Sequence, residues 1–133
     1  MIYNCTLEQD GNMLIVQFPD MPNIQTFGNT QEEALAMAKE ALDLCLETDI
    51  AQGNPIPRPA FKKGHRITVA PHIALCIQLR ELRGSQSQAD IARKLGLSYQ
   101  AYQRLENPRK ANPTVKTLDR IARVYGRELN ISL

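Results

Sequence analysis

The sequence predicts an α+β protein: a small mixed domain of order β-β-β-α-β, then an all-α domain that closes with a short C-terminal strand. Three observations predict it. Period-2 alternation in the opening residues gives way to helical spacing after Pro71. A proline-rich stretch, Gly53-Asn54-Pro55-Ile56-Pro57-Arg58-Pro59, lies between the two regimes. Charge divides with them: residues 1–57 hold one basic residue against nine acidic ones, a net of −8, whereas residues 71–133 hold eleven against five, a net of +6. The expected domains are therefore 1–70, including a linker at about 53–64, and 71–133.

The strands come first. Tyr3, Cys5 and Leu7 alternate with Asn4, Thr6 and Glu8, the pattern of a half-buried strand. Asp10-Gly11 is a hairpin signal, and Leu14, Val16 and Phe18 share a face of a second strand. Pro19 and Pro22 break any ladder, so a loop precedes a third strand at Ile24–Phe27. Thr30-Gln31-Glu32-Glu33 is a capping box with acidic residues at the positive end of a helix. Ala34, Leu35, Ala38, Ala41, Leu42, Cys45 and Leu46 follow at helical spacing, making this the clearest amphipathic helix, ending near Thr48. Arg66–Val69 supplies a fourth strand.

Beyond Pro71 the helices follow closely. Ile73 to Leu82 form one with much of its girth buried, ended by Gly84. Ser87 caps a helix over Gln88–Leu95, Ser98 caps another over Tyr99–Glu106, and Pro113-Thr114 opens a fourth, closed by Gly126. Leu129, Ile131 and Leu133 alternate with polar residues as the C-terminal strand.

Composition excludes several function classes. Hydrophobic residues make up 43%, the proportion of a globular chain. No apolar run reaches the roughly 20 residues of a membrane span, and the first residues lack the basic and apolar regions of a signal peptide. Cys5, Cys45 and Cys76 are scattered and form no C-x-x-C, so buried thiols in a cytoplasmic protein are expected. His72 and Cys76, four residues apart, fall short of the three or four ligands of a metal site. No cofactor, metal or catalytic residue is assigned.

Residues 88–107 carry the most specific signal. Ala92 is small where two helices cross, and Gly96 permits a left-handed turn. Ile91, Leu95, Leu97 and Leu105 fall on the side the pair buries, leaving Arg93, Lys94, Gln100, Gln103, Arg104, Arg109 and Lys110 outward. Such residues contact phosphates and base edges in a major groove. Residues 72–126 thus resemble the Cro/repressor-type helix-turn-helix family, departing from it at Tyr102, usually Ile or Val, and Pro108, often Gly. The resemblance implies DNA-binding roles for Gln88, Ser98, Tyr99, Gln100, Gln103, Arg104, Arg109 and Lys110. Gln88 falls near a phosphate, Gln100, Gln103 and Arg104 face the groove, and Tyr99 touches either a thymine methyl or a phosphate. One such motif reads a half-site, so a homodimer or higher homo-oligomer on operator double-stranded DNA is expected.

The first half has an ordered series of its own: Phe18-Pro19-Asp20-Met21-Pro22, Thr26-Phe27-Gly28-Asn29-Thr30, Glu32-Glu33-Ala34-Leu35 and the proline-rich stretch. The series is similar to the HicB family of antitoxins, whose N-terminal domain is a truncated, partial RNase H-like fold, in many members joined to a DNA-binding domain. The resemblance implies a partner, a small basic HicA-like ribonuclease toxin, and hence a type II antitoxin that represses its own operon. The −8 charge independently suits a basic partner. Asp20, Glu32, Glu33 and Glu40 are the candidate toxin contacts, although each of the three glutamates taken singly reads first as part of a solvated helix face supported by the helix dipole. Catalysis is not expected, because Tyr3-Asn4-Cys5-Thr6-Leu7 offers no carboxylate to a two-metal site. The alternative function is a phage-type repressor whose first domain only oligomerises or senses a ligand.

Overall fold

In the computed structural model, which describes all 133 residues, β1 (Ile2–Asp10) and β2 (Met13–Gln17) form the first hairpin. They pair antiparallel, Asp10 opposite Met13 and Leu7 opposite Val16. β3 (Thr26–Gly28) adds to β2, with Phe27 opposite Ile15. The chain divides into two units, Met1–Ala74 and Leu75–Leu133, and these strands belong to the first.

α1 (Gln31–Gln52) starts where the capping signal places it: the Thr30 hydroxyl accepts from the Glu33 amide at 3.1 Å. It runs four residues beyond the expected end and stops at Gly53, whose left-handed backbone at φ of +71° turns its N–H onto the Asp49 and Ile50 carbonyls. The Thr48 hydroxyl is accommodated within the helix, donating to the Leu44 carbonyl at 2.9 Å. Ala34, Ala38, Leu42 and Leu46 are buried, and small alanines let the helix lie close to the sheet. They belong to a core that also holds Tyr3, Cys5, Val16, Phe18 and Ile67. The helix is less cleanly two-sided than its spacing predicts, since Met37 and Leu44 remain in solvent.

β4 (His65–Thr68) pairs antiparallel with β1, Cys5 opposite His65 and Ile2 opposite Thr68, giving the sheet order β3-β2-β1-β4. The proline-rich stretch is not a linker between the units; both its flanks lie in the first unit. Asp20 accepts from the Ala60 and Phe61 amides, each at 3.0 Å, the Asn4 amide donates to the Lys63 carbonyl at 2.8 Å, and the Tyr3 hydroxyl donates to the Pro57 carbonyl. Prolines suit a segment outside the ladder, since they have no N–H to satisfy, and the amides of Ala60 and Phe61 that do remain find Asp20. Gly64 ends it with φ of +76°, and a Cβ there would lie 2.2 Å from the Cys5 carbonyl oxygen. Only glycine fits that entry to β4.

α2 (Pro71–Arg83) leads into the second unit, which continues as α3 (Gln88–Leu95), α4 (Tyr99–Leu105) and α5 (Val115–Val124). Leu79, Ile91, Ala92, Leu95, Tyr102, Leu105 and Ile121 form its core. The expected C-terminal strand does not form within one chain. Residues 127–133 have no ladder partner there, and Ile131 and Leu133 stand in solvent.

Candidate nucleic-acid interface

The α3–turn–α4 pair is assembled by local rules. Ser87 Oγ accepts from the Asp90 amide at 3.0 Å and Ser98 Oγ from the Ala101 amide at 3.1 Å, so each helix starts on its own cap. Gly96, at φ of +67°, closes α3 with its N–H on the Ala92 and Arg93 carbonyls. Arg120 from α5 donates to the Leu95 carbonyl beside that turn.

A buried ion pair fixes α4 from behind. Arg83 at the end of α2 makes two bonds to the Glu106 carboxylate, Nε to Oε2 at 2.8 Å and Nη2 to Oε1 at 2.9 Å. The Glu106 side chain is only 6% exposed and that of Arg83 19%. Gln88 Nε2 donates to Oε1 at 3.3 Å. The Tyr102 hydroxyl is buried beside the carboxylate and helps to keep it ionised. Burial works to raise the Glu106 pKa, and the Arg83 guanidinium with these neighbours outweighs it, holding the carboxyl below its ordinary value. Burial first, then the Glu106 carboxylate, pushes the Tyr102 phenol up. The same two causes push the Cys76 thiol up to about 12, and that thiol donates to the Leu105 carbonyl at 3.3 Å. Cys76 is thus a protonated packing residue.

The structure gives the sequence-designated residues different jobs. Tyr99, Gln100, Gln103, Arg104, Arg109 and Lys110 are exposed. Gln103 Nε2 lies 3.4 Å from the Tyr99 hydroxyl, which joins neighbouring turns of the outward face. Ser98 is exposed while its oxygen caps α4. Gln88 is half-buried and bonded to Glu106, a position that ties the start of α3 to the end of α4. Tyr102, a departure from the family pattern, is fully buried and fills the core. Of the other outward cations, Arg93 pairs with Asp90 at 3.1 Å and Lys94 donates to the Gln86 side chain at 2.7 Å. Sequence reading missed the Arg83–Glu106 lock. Both residues stand at helix ends, where charged side chains are ordinarily solvated, and nothing in the linear order pairs positions 23 apart.

In the first unit, Glu32, Glu33 and Glu40 are exposed on α1, whereas Asp20 is occupied by the amides of residues 60 and 61.

Comparison with known proteins divides along the same two units. The family described as HicB_like antitoxin of bacterial toxin-antitoxin system matches residues 2–80, and the helix-turn-helix family matches residues 78–131. The chain is 36% identical over 107 residues to Antitoxin HicB 2 of Photorhabdus laumondii subsp. laumondii, covering 79% of this chain and 77% of that protein. It is 29% identical over 137 residues to Antitoxin HicB 1 of the same organism, covering 100% and 87%. It is also 29% identical over 121 residues to Antitoxin HicB of Escherichia coli K12, covering 88% and 87%.

Proposed function

The chain belongs to the HicB-like antitoxin family, and we propose that it neutralises a HicA-like mRNA-cleaving ribonuclease through its first unit and represses its own operon through its second. The observation that carries this reading is the coincidence of two family matches with two differently charged units, one acidic, one presenting a helix-turn-helix. An acidic domain suits a partner whose own surface binds RNA, because both answer the same positive field. The relatives are antitoxins, which points to a regulatory, non-enzymatic role. No helix is long and apolar enough to cross a membrane, and a chain that binds operator DNA and a messenger-cleaving toxin works in the cytoplasm.

On the DNA side, Gln100, Gln103 and Arg104 read base edges from α4, with Gln suited to adenine and Arg to guanine. Ser98 and Tyr99 lie at the helix start near the backbone, Gln88 orients the motif and reaches a phosphate with what remains of its amide, and Arg109 and Lys110 clamp phosphates after the helix. Two copies bind a palindromic operator as a homodimer or higher oligomer. The apolar alternation of Leu129, Ile131 and Leu133 supplies strands that form only when two tails pair.

Co-expression with the protein from the adjacent reading frame tests the reading. Co-purification, growth rescue and retention of the operon's promoter DNA are expected. Growth arrest that this chain does not relieve, with no complex recovered, overturns the antitoxin role.

A further inference from the structure

The outward side of α1 carries a pattern that DNA binding and the core leave unused. Glu33, Met37, Glu40 and Leu44 follow at spacings of four, three and four residues, the 3.5-residue repeat of a helix-helix seam. Glu33 and Glu40 are exposed, Met37 is 37% and Leu44 58% exposed. The opposite side of the helix, Ala34, Ala38, Leu42 and Leu46, already fills the core, so the seam is surplus to the unit's own packing. Residues 1–38 contain no Lys or Arg. Lys39 is turned aside, to Asp43 at 3.3 Å and the Thr68 carbonyl at 2.7 Å.

We propose that this seam is where the antitoxin grips its toxin: Met37 and Leu44 anchor an apolar strip on a helix of the basic protein, and Glu33 and Glu40 meet its cations. The inference rests on the antitoxin reading above and names the surface that reading leaves open. Charge selects the occupant. A second copy laid parallel on the seam sets carboxylate against carboxylate. Laid antiparallel, it sets Glu33 and Glu40 against Met37 and Leu44. Either way the glutamates lose water without gaining a counter-charge. A basic partner satisfies both halves of the pattern.

The test uses the full chain and a catalytically inert variant of the small basic protein of the adjacent frame. Titration calorimetry compares three double variants: Glu33→Lys with Glu40→Lys, Met37→Lys with Leu44→Lys, and, as a control whose charge change equals that of the first and exceeds that of the second, Glu8→Lys with Asp10→Lys. All six positions are surface positions, and thermal melting with promoter-DNA binding confirms that each variant is folded. Both seam variants are expected to lose at least about 30-fold in affinity, and the control less than about threefold. Unchanged binding by the seam variants overturns the proposal alone, as does an equal loss in the control. Failure of the unaltered chain to bind overturns the antitoxin reading and the seam with it. Seam variants that fall to a smaller oligomer while keeping toxin affinity assign the surface to self-assembly and also overturn it.

Discussion

Replacing Arg83 with Met tests how the DNA-reading helix is held. The change keeps the aliphatic stem and removes both bonds to Glu106, leaving a carboxylate that is 6% exposed with one weak donor, Gln88, at 3.3 Å. Stranding a buried charge costs about 3–5 kcal/mol, far above the range of about 0–1 kcal/mol for surface pairs. The Tyr102 hydroxyl stands close enough to turn toward the carboxylate, which places the expected cost near the lower end, about 3 kcal/mol. Adding Glu106→Leu removes the stranded charge, so the double variant is expected to be more stable than Arg83→Met alone. The pH dependence follows from the lowered Glu106 pKa. Its stabilisation is complete above the ordinary glutamate value of about 4.3 and is lost as pH falls through the lowered value in the native state. The gap between parent and variant is therefore widest at neutral pH and closes in acid, where the stranded carboxyl protonates. Urea unfolding followed by circular dichroism, with amide exchange at Ile91 and Leu105 to isolate the second unit, measures these differences. A cost below about 1 kcal/mol at pH 7, or a double variant no better than the single one, refutes the buried-lock argument.

Arg104→Ala is expected to cost about 1–3 kcal/mol against the operator and to relax preference at one base pair, whereas Arg109→Ala or Lys110→Ala weakens operator and scrambled DNA alike and flattens the salt dependence by about one counterion; fluorescence titrations at several salt concentrations separate the two. Arg104→Ala losing equally on both DNAs would make it a phosphate clamp. Gly64→Ala forces a side chain into a left-handed backbone and against the Cys5 carbonyl, so it is expected to destabilise the first unit by more than about 1 kcal/mol in urea melts while leaving operator binding intact. Deleting residues 127–133 is expected to yield monomers by light scattering, and an unchanged dimer rejects strand pairing of the tails.

Most elements were legible because local chemistry decides them. Thr30, Ser87 and Ser98 cap the helices that follow them, and the alternation around Tyr3 and Cys5 marks their buried face. What escaped reading depends on partners distant in sequence. The stretch after Gly53 has the composition of a linker, yet acceptors at Asp20 and donors at Tyr3 and Asn4 bind it to the sheet. Asp20 looked free for a partner because its own partners lie 40 residues on. The C-terminal alternation was readable, but a strand also needs a neighbour, and one chain has none for it. Among the DNA-contact candidates, Gln100, Gln103 and Arg104 were legible as polar positions on an outward face, while the tether on Gln88 was invisible without Glu106.

The pairing of β1 with β4 has a consequence during synthesis. The first strand to leave the ribosome waits for residues 65–68 before its second edge is covered, although the hairpin and α1 need nothing beyond Gly53. Until then Ile2 to Cys5 present an open, apolar edge, the kind of surface that pairs wrongly or attracts proteases. A ribosome that stops between Gly53 and His65 releases a sheet with one side open and no helix-turn-helix behind it. Interrupted translation thus leaves fragments with that edge uncovered, and only a chain extended past Thr68 closes it.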